Sequence, residues 1–285
     1  MADKLLKLIA AVISLSLVLT VSACGDEITP VSDDSDKGQY LNAEEDKTAA
    51  DYSAKENLYI AASKLASAGG FRAETEGESR SLAGITNAVR TRRIVLNGVV
   101  FKESRSYSSL VKLASQTYVS GENYLVRDKK SMSSIDSVVW KDEVTRLTRS
   151  EFLNNYGLVQ DGISSYVLND DTILSAEKIS EEGGVFTFKY SLDTIKATEK
   201  IKYEMVYSAG ASSFPEFKYA EMTVKMTADW TVKSIHYDSE YVITKIIKAT
   251  CTESLTETFY DIGKVTEIAE SEFFGSFCVG GAQSE

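Results

Sequence analysis

Apolar and polar residues alternate along much of this chain, in short runs separated by glycine and other turn residues. Such alternation is typical of strands with one buried face, because successive side chains of a strand point to opposite sides of the sheet. Gly98 and Gly121 fall between runs, where turns are expected. The pattern predicts strands at residues 71–79, 91–96, 99–107, 110–119, 123–128 and 137–140.

The second half of the chain continues this pattern with longer runs. Residues 172–180 and 185–191 flank a Glu-Glu-Gly-Gly turn and predict a hairpin. Three long strands are predicted at residues 217–227, 231–244 and 248–262. Only three residues separate the first two, so we expect these two strands to pair antiparallel.

Helical patterns occur in three places, one before the first strand and two between later strands. Residues 51–70 carry apolar side chains three and four positions apart and end in two glycines. Thr148 and Glu151 form a capping box that predicts a short helix, and residues 192–210 predict a third. No long polar linker interrupts residues 51–285. We therefore predict one α+β domain over 51–285, a large, curved antiparallel sheet with a few helices.

The first 23 residues predict a signal peptide. Two lysines near the start precede an uncharged apolar stretch, residues 8–20, which is too short for a comfortable membrane span. Val21-Ser22-Ala23-Cys24 then resembles the lipobox of bacterial lipoproteins, which implies that Cys24 is lipidated and becomes the first residue after cleavage. Two alternatives remain: ordinary signal-peptidase cleavage behind Ala23, or an uncleaved anchor.

Residues 24–50 are acidic and contain few large apolar side chains. Such a segment buries too little surface to offset its chain entropy, so we predict a lipidated cysteine followed by a flexible tether. With the anchor, this organisation predicts an extracytoplasmic location on the outer face of the cell membrane. The formal net charge of −11 argues against nucleic acid as a partner.

Residues that commonly carry chemistry are scarce. The sequence contains a single histidine, His236, which the alternation places on a sheet surface, and it lacks C-x-x-C, H-E-x-x-H and G-x-S-x-G motifs. We therefore predict no metal, no cofactor and no enzymatic activity. A glycosidase-type carboxylate pair stays open as an alternative, because such pairs come from distant parts of a chain.

The order of the predicted elements over residues 51–262 resembles the lipoprotein-carrier fold of LolA, LppX and LprG. That resemblance implies an open half-barrel, an unclosed antiparallel sheet wrapped around helices, with a hydrophobic cavity for acyl chains. It implies binding of a lipid or another apolar ligand.

Alternation in the strand 217–227 places several apolar residues, two of them methionines, on one face. Methionine is flexible and polarisable, and suits a surface that adapts to varied ligands. The same residues also fit an ordinary packed core. The candidate cavity lining consists of Met205, Met222, Val224, Met226, Phe186 and Phe188.

With Cys24 assigned to the lipid, Cys251 and Cys278 remain. In an extracytoplasmic protein two such cysteines predict a disulfide, with two buried free thiols as the alternative.

Three functions follow from these observations. The first is a membrane-anchored lipoprotein that binds a lipid or other apolar ligand in a sheet cavity. The second is a module without a cavity that binds an envelope protein or glycan, and the third is an envelope hydrolase.

Overall fold

The computed structural model describes residues 39–82, 84–209, 213–244 and 248–268. Helices α1 (Ala54–Ser67), α2 (Arg149–Tyr156) and α3 (Ile201–Ala209) lie within these ranges, and no described helix has the length and apolarity to cross a membrane. The strands are β1 (Gly70–Ser81), β2 (Thr86–Leu96), β3 (Val99–Tyr107), β4 (Lys112–Ser120), β5 (Asn123–Met132), β6 (Val138–Trp140), β7 (Thr145–Leu147), β8 (Ile173–Glu182), β9 (Val185–Leu192), β10 (Glu216–Thr227), β11 (Val232–Thr244) and β12 (Lys248–Tyr260).

The strands form one antiparallel sheet in the order β6-β5-β4-β3-β2-β1-β12-β11-β10-β9-β8, with β7 paired to β5. Two meanders, β1–β5 and β8–β12, are joined through the pairing of β1 with β12. The first and last strands of this order do not pair with each other, so the sheet is open. The predicted fold class, a large open antiparallel sheet with a few helices, is confirmed.

Helix α1 lies inside the bend of the sheet. It contacts both β1 and β8, which stand five positions apart in the strand order, so the sheet wraps around it. The helix begins at Ala54 because Ser53 and Glu56 form a capping box, in which each side chain accepts from the other residue's backbone N–H. Its apolar residues are buried in the main core: Leu58, Ile60, Ala61 and Leu65.

We call the face toward α1 the inner face and the opposite one the outer face. On β2–β5 the outer face also carries a buried cluster, made by Ile94, Phe101, Tyr118 and Leu125 with Val265 from the segment after β12. Burial on both faces explains why β2 and β3 contain consecutive apolar residues rather than strict alternation.

The junction of the two meanders requires a glycine. A Cβ on Gly77 of β1 would lie 2.1 Å from the backbone oxygen of Ser254 on β12. Any larger residue would force β1 and β12 apart, so Gly77 permits their close pairing.

Two predicted boundaries are wrong. Residues 39–50, assigned to the flexible tether, lie against the domain: the Gln39 N–H donates to the Leu168 oxygen, and Ala49 is buried in the core. A few small apolar residues provide this contact within an acidic segment. The helix predicted over 192–210 begins only at Ile201; residues 194–200 form consecutive turns, at the start of which the Asp193 carboxylate accepts from the N–H groups of Ile195 and Lys196.

Candidate functional site

The inner face of β9–β11 forms an apolar floor, which we define as Phe186, Phe188, Met222, Val224, Met226 and Ile235. Strand pairing places Met222 between Tyr190 and Tyr237, and Val224 between Phe188 and Ile235. All six side chains are at most 3% exposed and pack in the cluster that contains α1. The side chains that alternation assigned to one face therefore do share that face.

Five of the six residues predicted to line a cavity belong to this floor. The sixth, Met205, lies on α3, is half-buried and is not part of the same cluster. The five pack directly against their neighbours in the core, so their role in holding a ligand stays a prediction.

The segment 157–172 lies over the floor and is attached by Arg93, whose side chain is 2% exposed. The Arg93 guanidinium donates to the backbone oxygens of Gln160 and Gly162, both at 2.8 Å, and to Glu257 Oε1 at 2.8 Å. It also lies over the ring of Phe71, 5.1 Å from the centroid. Arg93 thus holds the covering segment against β2 and β12 at once.

Tyr237 extends this polar link toward the apolar floor. Its hydroxyl donates to Glu257 Oε2 at 3.2 Å and lies 3.4 Å from Ser164 Oγ, which is 3.6 Å from Met222 Sδ. Burial, with Glu257 nearby, raises the pKa of Tyr237 well above its ordinary value. The phenol is therefore neutral and acts as a donor at physiological pH.

Beyond Tyr237 the inner face becomes polar. Glu253 of β12 lies between Ser79 of β1 and Ser239 of β11 in the strand register. The Glu253 side chain is half-buried. Its loss of contact with water is the main cause that raises its pKa to about 7, and the charge of Glu204 is the second cause. Ser239 is 1% exposed. We call this group, Glu253 with Ser79 and Ser239, the polar end.

Two tyrosines stand close to the polar end. The Tyr241 hydroxyl lies 3.1 Å from Ser79 Oγ. Tyr166, from the covering segment, stacks obliquely on Tyr237 with ring centroids 5.7 Å apart. Burial followed by the charge of Glu253 raises the pKa of both phenols. Both groups stay neutral and offer hydrogen bonds.

Helix α3 covers the neighbouring part of the inner face. Its Glu204 forms an ion pair with Lys102 of β3 at 2.5 Å and accepts from Gln160 Nε2 at 3.0 Å. A cavity of about 20 Å³ lies beside this pair, lined also by Phe152 and Tyr156, and has room for a single water molecule. Lys102 and Gln160 therefore supply Glu204 with an ion pair and a hydrogen bond. Among the described residues, Glu253 has neither.

His236 lies on the outer face, as the alternation predicts. Its Nδ1 is 2.9 Å from Thr256 Oγ1, and its Nε2 is 3.0 Å from Asp238 Oδ2 and 3.5 Å from Ser254 Oγ. A Ser–His–Asp relay needs the hydroxyl and the carboxylate on opposite nitrogens. Here Ser254 and Asp238 face the same nitrogen, so these three side chains do not form such a relay.

The outer face also carries an open groove of about 670 Å³ at the junction of the meanders. Its lining crosses four strands and is mainly polar, with one aromatic ring. The lining residues are Gly77, Glu78, Thr86, Ala88, Tyr107, Ser108 and Ser254.

Of the three cysteines, only Cys251 lies within the described residues, half-buried on β12. Burial and the neighbouring Glu253 raise the pKa of its thiol. Cys278, like Cys24 and the lipobox Val21-Ser22-Ala23, lies outside the described residues, so the disulfide stays a prediction. Within the described ranges, His, Cys, Asp and Glu side chains form no group of three or more that could hold a metal ion.

Sequence reasoning missed Arg93, Glu253 and Glu257. A signal was present in the β12 sequence: Glu253 and Glu257 lie at alternate positions with Leu255 and Phe259, and so on the same face of the strand. Charged residues at the positions of a buried face mark polar groups that must find partners inside the protein.

Comparisons with known proteins complete this description. No protein-family model matches the chain, and no curated protein matches it. Among solved structures the chain is similar to a LolA superfamily protein from Nitrosomonas europaea, at 10% sequence identity and a TM-score of 0.29. The match covers 78% of this chain and 97% of that protein.

Proposed function

We propose that the chain is an extracytoplasmic lipoprotein, anchored through Cys24 to the outer face of the cell membrane, that binds a lipid or other apolar ligand on the inner face of its sheet. The observation that carries the ligand part is the apolar floor, a methionine-containing surface that lies directly beside a polar end. Helix α1 and the segment 157–172 cover this face, rather than a second sheet.

The anchor part is supported by the sequence Val21-Ser22-Ala23-Cys24 behind a charged and then apolar leader. Acyl chains contribute roughly 0.8 kcal/mol per buried methylene, so two or three of them hold a soluble domain stably on a bilayer.

Lipidation is tested by growing bacteria that express the full chain with radiolabelled palmitate. We expect the wild-type protein to incorporate label and to fractionate with membranes, and Cys24→Ala to lose both properties, because no other position matches the lipobox cysteine. Cys251→Ala is the matched control and should keep the label. An unlabelled wild-type chain would contradict the anchor.

Ligand binding is tested by native mass spectrometry of the full-length Cys24→Ala protein, which carries no covalent lipid. We expect a non-covalent lipid adduct. Met222→Trp places a bulky ring on the apolar floor and is expected to reduce the adduct roughly tenfold, since displacing about two methylene groups of the ligand costs about 0.8 kcal/mol each. Tyr219→Trp is the control, because Tyr219 lies on the outer face of the same strand. Thermal melts verify that both variants fold, and an adduct-free, folded parent protein would contradict this function.

The open groove on the outer face favours a second candidate function, docking of an envelope protein or glycan. Tyr107 is a half-buried aromatic residue in this polar groove, and aromatic residues are enriched in protein interfaces. Adduct-free protein that binds purified cell-wall glycan in a sedimentation assay would favour this second function over the first.

A further inference from the structure

Glu253 differs from the other buried or half-buried acids of the inner face. Glu257 pairs with Arg93 at 2.8 Å, and Glu204 pairs with Lys102 at 2.5 Å. For Glu253 the described part of the chain provides neither an ion-pair partner nor a hydrogen-bond donor. A carboxylate that is partly removed from water without a counter-charge is costly, which is why such groups usually have a cation beside them.

The side chains around Glu253 are neutral and polar. Ser79 and Ser239 are its cross-strand neighbours, and the phenols of Tyr166 and Tyr241 stand close by. Ser239 Oγ is fully buried beside Tyr166 and makes no hydrogen bond of ordinary geometry. The polar end therefore brings one carboxylate and one buried hydroxyl together as cross-strand neighbours, and both can accept hydrogen bonds.

The polar end is adjacent to the apolar floor. Across the strands, Leu255, Tyr237 and Met222 form one row of inner-face residues, and Glu253, Ser239 and Ala220 form the next. Two residues along a strand span about 7 Å. An alkyl chain that lies on the Met222 row thus brings a group at its end directly to Glu253.

We propose that Glu253 and Ser239 form the head-group site of the bound ligand, and that this head group is a protonated amine. The inference rests on the proposed function, because the apolar floor must hold the chain to which the amine is attached. An ammonium group carries three donors and a positive charge, which match a carboxylate, a serine hydroxyl and a phenol oxygen. Its hydrogen bond to Glu253 is charge-assisted and stronger than a neutral one.

The electrostatics of the site support this assignment. Among the described residues, the titratable groups that interact electrostatically with Glu253 are Glu204, Tyr166, Tyr241 and Cys251, and none of them is a cation. Lys102 is paired with Glu204. Burial and Glu204 hold the pKa of Glu253 at about 7, so the free site is partly protonated at neutral pH. A bound ammonium favours the ionised carboxylate, and its affinity rises as the pH increases from 6 to 8.

The test is isothermal titration calorimetry of the full-length Cys24→Ala protein at pH 8 with three probes: decylammonium, decanoate and ethylammonium. We expect decylammonium to bind about tenfold more tightly than decanoate, the size of one charge-assisted hydrogen bond. In Glu253→Gln the two decyl probes should bind equally. Glu240→Gln, which removes the same charge from the outer face of β11, should keep the tenfold preference.

Glu253→Gln is expected to fold. Because the folded state raises the pKa of Glu253, the folded chain binds more protons than the unfolded chain between pH 4.5 and about 7, and this group's contribution to stability falls as the pH rises through that window. Removing the charge therefore leaves the melting temperature at pH 8 equal to that of the parent protein or higher.

Each outcome separates the two claims. Equal binding of both decyl probes to the parent protein would overturn the amine site and leave the apolar function intact. Ethylammonium binding as tightly as decylammonium would support the amine site and contradict the apolar floor as a ligand surface. Failure of all three probes to bind would overturn the amine site, and the mass spectra then decide the proposed function independently.

Discussion

Arg93→Met is expected to lower the free energy of unfolding by about 3–5 kcal/mol, a large part of the stability of an ordinary domain. The substitution leaves Glu257 buried without its cation and removes the donors to the backbone oxygens of Gln160 and Gly162. It also releases the covering segment 157–172 from the sheet. Urea denaturation at pH 7, followed by circular dichroism, measures the change.

Two further variants make this result specific. Arg92→Met changes the neighbouring residue, which is exposed on the outer face, and should stay within about 0.5 kcal/mol of wild type. Arg93→Met combined with Glu257→Gln removes the stranded charge and should recover part of the loss. A single-variant cost below about 1 kcal/mol would contradict the buried pair, because that value is typical of exposed pairs.

Asn57→Ala is expected to lower the free energy of unfolding by about 3 kcal/mol, since buried partners left without a hydrogen bond cost about 1–3 kcal/mol each. The Asn57 amide nitrogen lies 3.0 Å from the backbone oxygens of Ala49, Tyr52 and Ser53, and its oxygen accepts from Trp230 Nε1 at 2.6 Å. One fully buried side chain thus joins the segment before α1 to the turn between β10 and β11.

A double-mutant cycle with Trp230→Phe isolates the Asn57–Trp230 bond. Denaturation should give a coupling energy of about 1 kcal/mol, the size of one buried hydrogen bond. Asn42→Ala, an exposed position in the same N-terminal segment, should leave stability within about 0.5 kcal/mol. A cost of Asn57→Ala equal to that of Asn42→Ala would show that the amide network does not hold this segment.

Local patterns account for the elements that were predicted correctly. The runs at 185–191 and 217–227 are strands, as predicted, because an apolar residue at every second position buries one face of a strand whichever strand it pairs with. The helix Arg149–Tyr156 begins directly after Thr148, as its capping box predicts. Thr148 and Glu151 bond to each other's backbone N–H groups, so the signal lies within four consecutive residues. The same logic was wrong at residues 194–200, which form consecutive turns and not the first part of a helix.

The candidate site was only partly predictable. Alternation assigned Met222, Val224 and Met226 to a common face, and that face is the apolar floor. It did not reveal that Glu253 meets Ser79 and Ser239, because these residues come from three strands whose pairing no local pattern encodes. The raised pKa of Glu253 depends further on α3, which brings Glu204 close.

By itself the sequence determined most of the strands, the helix cap at Thr148 and the common face of Met222, Val224 and Met226, since these depend on neighbours a few positions away. The prediction that Cys24 carries a lipid also rests on the sequence alone, because a lipobox consists of four consecutive residues. Only the tertiary structure decided that β1 pairs with β12 and that Arg93 meets Glu257, 164 residues further along the chain. A contact between residues so far apart in the chain carries a large loop-closure entropy cost. This cost is offset only when the whole sheet forms, because strand pairing and the burial of apolar side chains then contribute together.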